Sequence, residues 1–203
     1  MPVYEAKEWT QLWYDEATDP TTPRVMLIGD SITVGYTHTL NRHLEGMVRA
    51  DSLGGSKGLD HPFYNEEIDL FARQFGFDYR LIHFNNGLHR MGMDAETYGA
   101  LYEEKVQWLL ARYPKAILTL ATSTSVVPSP SQSSVEKTNA IICARNEKVW
   151  QIAQKYHLPV DDLYTAMLDH PEWHVPDGCH FTEEAKDIQG RLIAGFIRKQ
   201  LNL

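Results

Sequence analysis

The sequence predicts an α/β protein, a three-layer α/β/α sandwich on a five-stranded parallel sheet. Compact apolar runs that suit strands buried on both faces alternate with longer segments whose apolar residues recur at helical spacing. Each strand-like run is followed by a helix-like one, and parallel neighbours need such crossovers. At 203 residues the chain fits one domain, 1–203, with a substantial core and one active site.

Residues 6–15 read as a short amphipathic helix, and the Pro- and Thr-rich stretch 19–23 as the loop into the sheet, so 1–23 is a helix plus lead-in. Arg24–Ile28, ending at Gly29, reads as the first strand. Residues 33–46 follow as a helix with Tyr36, Leu40 and Leu44 on one face, then 47–53 as a strand and 65–75 as a helix. The run 79–84 (YRLIHF) is a third strand. Tyr98, Leu101, Tyr102, Val106, Leu109 and Leu110 mark a helix between 94 and 112, and 116–121 a fourth strand. The Ser- and Pro-rich segment Ser123–Ser134 reads as a surface loop. A helix over 135–156 turns Ile142, Val149, Ile152 and Tyr156 inward, and Leu158–Leu163 supplies a short last strand. The final helix, 183–201, has Thr182 as N-cap and Ala185, Ile188, Leu192 and Phe196 as its buried stripe.

Composition narrows the function. Hydrophobic residues make up 43% and charged residues 23%, as in ordinary globular proteins, which excludes disordered and collagen-like classes. A net charge of −8 argues against a nucleic-acid groove, which needs clustered Lys and Arg. No apolar run approaches the roughly 20 residues of a membrane span, and the opening residues have neither a basic nor an apolar signal region. The expectation is a soluble, cytoplasmic protein, although a signal removed beforehand would leave the same sequence. Cys143 and Cys179 are too few for a disulfide framework and lack metal-ligand spacing. Cys179 adjoins His180 and is a minor candidate nucleophile.

In an open parallel sheet, chemistry collects at the carboxyl ends of the strands. Gly29-Asp30-Ser31-Ile32-Thr33 presents Ser31 at a helix N-terminus, where free N–H groups can stabilise an oxyanion. Equally, Ser31 or Asp30 caps the helix. Gly54 and Gly55 in Leu53–Gly58 let backbone N–H groups approach a ligand, or are turn residues. Asn85, Asn86 and His89 in Phe84–His89 supply neutral donors to a carbonyl, unless Asn86-Gly87 is only a turn. In Pro176–Thr182, Asp177 and His180 are spaced so that the carboxylate can orient the imidazole. Metal ligation and capping explain an isolated Asp-x-x-His as often.

Together, GDSIT after the first strand, the Gly loop after the second, the Asn loop after the third and DGCHFT before the last helix resemble the four sequence blocks of the SGNH/GDSL hydrolase superfamily, over about residues 24–195. The resemblance implies a flavodoxin-like sheet order and a serine esterase needing no metal or organic cofactor. It implies Ser31 as nucleophile with Asp177 and His180 as acid and base. The N–H of Ser31 joins the oxyanion hole, with Gly54 as second donor, or Gly55 if the register slips by one. The third block departs from the usual Gly-x-Asn-Asp: Gly87 and His89 fall where Gly and Asn stand, and Arg90 replaces the Asp. The third donor is therefore His89 or Asn86. NNGLH resembles a subgroup variant associated with removal of carbohydrate esters.

The implied substrate is a small-molecule or oligosaccharide ester, foremost an O-acetyl group on a sugar, with acyl thioesters and aryl esters as alternatives. Asp30, Gly55, Asn85 and Trp173 are expected to border it. Trp173 and His174 either stack on a sugar or simply pack the loop. Two non-catalytic readings stand beside this. One is a flavodoxin-like binding module using Gly29, Ser31, Thr33 and Gly35 as a phosphate turn, and the other is an inactive relative that binds carbohydrate.

Overall fold

The run Arg24–Gly29 (β2) is buried at every position, as a strand covered on both faces must be. In the computed structural model, which describes residues 4–132 and 134–203, it lies inside a sheet with Thr10–Trp13 (β1), Arg49–Gly55 (β3), Tyr79–Phe84 (β4), Ile117–Ala121 (β5) and Val160–Asp161 (β6). The strand order is β1-β3-β2-β4-β5-β6, with every pairing parallel except β1 with β3. Crossovers are made by Ser31–Leu44 (α1), Tyr64–Arg73 (α2), Ala95–Arg112 (α3) and Val135–Tyr156 (α4). Leu163–Met167 (α5) and Glu183–Leu201 (α6) complete the chain.

Alternating side chains divide the core in two. Met26, Ile28, Ile82, Phe84, Leu118 and Leu120 face α2, α3 and α4, while Val25, Leu27, Ala50 and Leu81 face α1 and α6. After β2 the chain passes to β3 on one side, then returns to β4 on the other. The carboxyl end of β2 is thus a topological switch point, where such sheets open a crevice. Ser31 stands there.

Three expectations are corrected. Residues 6–15 form no helix: Thr10–Trp13 is a sixth strand, antiparallel to β3, with Thr10 opposite Gly55 and Trp13 opposite Ser52. The sheet is therefore six-stranded and mostly parallel. All four β1 residues are exposed, so the spacing of its apolar residues reports no core, and the ladder offered by β3 decides the conformation. The last strand shrinks to Val160–Asp161 because the Asp162 side chain accepts from Thr165 N–H and starts α5. On α6, Leu192 is 40% exposed, while Ala185, Gln189, Gly190, Ile193, Ala194 and Ile197 are buried. Gly190 lies against Thr39 and the Leu40 backbone, and Thr39 Oγ1 donates to Lys186 O at 2.7 Å. Close backbone approach selects the small-residue face of α6, not the largest apolar side chains. Ser133 of the predicted loop lies outside the described residues.

A buried ion pair fastens the N-terminal segment to the sheet. Arg24 Nη1 lies 2.7 Å from Asp51 Oδ1, with side chains 2% and 0% exposed, and the guanidinium also donates to Asp15, Glu16 and Asp19 carbonyls. Tyr79 donates its hydroxyl to Asp51 Oδ2 at 3.0 Å. Replacing Arg24 by Met strands the carboxylate in the interior, and the expected loss is about 3–5 kcal/mol. Urea titration of the variant checks this. Among the described residues, no helix is long and apolar enough to cross a membrane.

Candidate active site

The strand β2 runs straight into α1 at Asp30, the N-cap, whose Oδ1 accepts from Ile32 N–H at 2.9 Å. Ser31 becomes the first helical residue, at the end where N–H groups have no helical acceptor. Asp30 itself is buried, and its Oδ2 makes no hydrogen bond. Burial raises its carboxyl above the usual range, against the pull of the His89 ring and of the Ile32 and Leu88 N–H groups.

Across the crevice, Pro176–Thr182 places its two functional side chains by backbone geometry. Asp177 Oδ1 accepts from the N–H groups of Cys179 at 2.8 Å and His180 at 2.9 Å, so the carboxylate folds over its own turn. Its Oδ2 lies 2.7 Å from His180 Nδ1, and His180 Nε2 lies 2.8 Å from Ser31 Oγ. The structure thus brings Ser31, His180 and Asp177 into one line. Burial would raise the Asp177 carboxyl, but hydrogen bonds from the His180 ring and the two N–H groups outweigh it and hold it below its usual range. A carboxylate, an imidazole and a hydroxyl in this order can pass the serine proton to His180 while the carboxylate steadies the ring.

The Ser/Pro-rich loop after β5 braces this turn. Ser129 Oγ donates to Asp177 O at 2.7 Å, and Val127 N–H donates to Gly178 O at 2.8 Å. Gly178 has φ +73°, and a Cβ there would run into Val127 O, so only glycine fits the turn. Cys179 is different. Its thiol is pushed up to about 12, first by burial and then by Asp30 and Asp177, so it stays protonated and is no nucleophile at neutral pH. Iodoacetamide at pH 8 should therefore alkylate the exposed Cys143, spare Cys179 and leave any hydrolytic activity intact, as peptide mass mapping and an ester assay can check.

The remaining candidates sit around this line. Gly54 and Gly55 close β3, and a Cβ on Gly54 would strike Val34 of α1 and approach Asp30 O to 3.2 Å, so Gly54 packs directly against the Asp30–Ser31 turn. Gly55 lies against Trp9 O. Asn85 Nδ2 donates to Ala121 O at 2.9 Å and to Ser123 Oγ at 3.1 Å. Asn86 Nδ2 donates to Lys57 O at 2.8 Å and to Tyr64 Oη at 3.2 Å. Both amides thus direct their donors to internal acceptors and tie neighbouring loops together. His89 Nδ1 lies 4.0 Å from Glu5 Oε1, and its ring meets Trp9 edge-on with centroids 6.4 Å apart. Trp173 stacks on His170 at 3.5 Å, and His174 packs on Phe181. Among the described residues, no group of three or more His, Cys, Asp or Glu is arranged to hold a metal.

Sequence reading missed Glu5, Trp9, Ser129 and Arg145. Trp9 comes from the segment read as a helix and Glu5 from the residue before it, and Ser129 carries no signal beyond loop composition. A lone Arg among apolar helix positions, at 145, was the one available hint.

A hydroxyl at a helix N-terminus thus lies in line with an imidazole and a carboxylate at the switch point of a mostly parallel α/β sheet. Residues 27–188 match the GDSL-like Lipase/Acylhydrolase family, and the chain belongs to it. Solved structures agree on the fold. A lipase/acylhydrolase from Enterococcus faecalis superposes with TM-score 0.66 at 17% identity, covering 88% of this chain and 97% of that one. An acetyl xylan esterase, AlAXEase, gives 0.67 at 16%, covering 86% and 99%. The aryl esterase of M. smegmatis gives 0.67 at 15%, covering 88% and 99%. No curated protein matches the sequence.

Proposed function

We propose that the protein is a serine esterase that removes short acyl groups, foremost O-acetyl groups from a carbohydrate, through an acyl-enzyme on Ser31. The observation that carries this reading is the unbroken contact from Ser31 Oγ to His180 Nε2 and from His180 Nδ1 to Asp177 Oδ2, at 2.8 and 2.7 Å. His180 takes the Ser31 proton as Oγ attacks the ester carbonyl, then gives it to the departing alcohol. Water, deprotonated by the same ring, attacks the acyl-enzyme and releases the carboxylic acid. The N–H of Ser31 and that of Gly54 or Gly55 are the backbone donors proposed for the oxyanion. Asn86, whose amide also holds the loops, and His89 are the two side chains proposed as the third donor.

The short-acyl preference draws on the likeness in fold to an acetyl xylan esterase. The carbohydrate preference rests on the fold shared with an acetyl xylan esterase and on NNGLH. An aryl-ester reading draws on the likeness to the aryl esterase. Hydrolysis of p-nitrophenyl acetate, butyrate and octanoate, beside acetylated xylan and phenyl acetate, separates these. Acetate cleaved at least tenfold faster than octanoate, with acetate released from xylan, is the expected result. Octanoate cleaved as fast as acetate overturns the short-acyl reading. Cleavage of phenyl acetate with none of xylan moves the assignment to aryl esters.

A further inference from the structure

The helix α4 carries a guanidinium into the interior with no carboxylate to meet it. Arg145 is 1% exposed and forms no salt bridge among the described residues. Its partners are backbone carbonyls of the loop after β4. Nη1 donates to Gly87 O at 2.7 Å and His89 O at 2.8 Å, and Nη2 donates to Arg90 O at 2.5 Å and Met93 O at 3.4 Å. The guanidinium also lies over the Tyr98 ring, 4.7 Å from its centroid, while Nε has no partner. A buried cation is costly unless paired, and here the negative ends of four peptide groups do the pairing.

The far ends of two of those peptide groups are as informative. The Gly87 carbonyl shares its peptide with the Leu88 N–H, and Leu88 borders one small cavity with Asp30. The His89 carbonyl shares its peptide with the Arg90 N–H, which donates to Glu5 Oε1 at 2.6 Å. The His89–Arg90 peptide is thus flanked by a cation at its oxygen and a carboxylate at its N–H, an arrangement that polarises and fixes it. Arg90, with φ +54°, sits in a backbone conformation that costs energy unless its surroundings impose it. Asp30 in turn caps α1 beside Ser31.

We infer that Arg145 is a positioning residue for the hydrolytic site: its guanidinium clamps the loop 87–93 by its carbonyls and so sets Leu88 and His89 against the Asp30–Ser31 turn. Arg145 touches no reacting atom. The inference rests on the esterase reading above. A misplacement of about 1 Å at a reacting centre can cost about 10²-fold in rate, so the clamp is expected to act on kcat and leave KM nearly constant.

The test is to make Arg145→Lys, Arg145→Met and Glu5→Gln in the full chain and measure kcat and KM for p-nitrophenyl acetate, the rate of fluorophosphonate labelling and the thermal midpoint. The Met variant should lose about 10–100-fold in kcat, with KM within about twofold and labelling slowed in parallel. Lys, which restores charge without the fork, should recover only part, and methylguanidinium added to the Met variant should raise its rate. A folded Met variant with wild-type kcat, or one changed only in KM, overturns the inference. If the Met variant does not fold, Glu5→Gln decides: a lower kcat at an unchanged thermal midpoint supports the relay through Arg90, and an unchanged kcat overturns it. A wild-type protein that cleaves no ester and takes no label overturns the hydrolase reading, and this inference with it.

Discussion

Alanine at Ser31 should reduce ester hydrolysis to background, a fall of about 10⁶-fold if the three residues act as a unit. In the proposed mechanism this hydroxyl forms the acyl intermediate, and its contact with His180 Nε2 at 2.8 Å is the route by which its proton leaves. His180→Ala should cost about as much, because a serine without a base is a weak nucleophile. The double variant should be no worse than either single one. Kinetics with p-nitrophenyl acetate checks all three, and the thermal midpoint of Ser31→Ala should stay within a few degrees of wild type, since Ser31 is half-exposed and Asp30 supplies the N-cap.

Asparagine at Asp177 should cost about 10⁴-fold in kcat. Asp177 Oδ1 accepts two backbone N–H groups, and an Asn oxygen can keep both. The amide nitrogen then faces His180 Nδ1, where the carboxylate oxygen was at 2.7 Å. An NH₂ group there donates to Nδ1, which forces the proton onto Nε2 and leaves nothing to accept from Ser31. Protonating Asp177 removes the same acceptor. Its folded carboxyl lies below the usual range. The stabilisation from its hydrogen bonds is therefore present above the ordinary Asp value, about 3.9, and is lost as pH falls through the lower folded value. Rates from stopped assays across pH, with Asp177→Asn as the reference, check the assignment.

Much of this architecture is legible in the sequence because burial writes it there. β2 and β4 are largely apolar on both faces, α4 spans the 135–156 that its periodicity marks, and α6 starts at its predicted cap Thr182. The line Ser31–His180–Asp177 is legible because each residue sits in a short segment with its own turn chemistry: a capped helix start for one, a glycine-bearing turn for the others. What escaped the sequence is set by partners far away in the chain. The edge strand β1 exists because β3 offers a ladder, and its exposed residues leave no periodic trace. The buried face of α6 is chosen by the close approach of Gly190 to α1. Arg145 lies more than 50 residues from the carbonyls it holds, so its place on the apolar stripe of α4 signals burial without naming its partners.

The most direct test of the proposed chemistry is mass mapping after treatment with a fluorophosphonate, which phosphonylates only a serine activated by a base and held beside oxyanion donors. The expected result is one phosphonyl group per chain, on the peptide containing Ser31, with loss of esterase activity in step and no labelling of His180→Ala. A protein that stays unmodified, or one modified at another residue with Ser31 intact, would contradict the assignment of Ser31 as nucleophile.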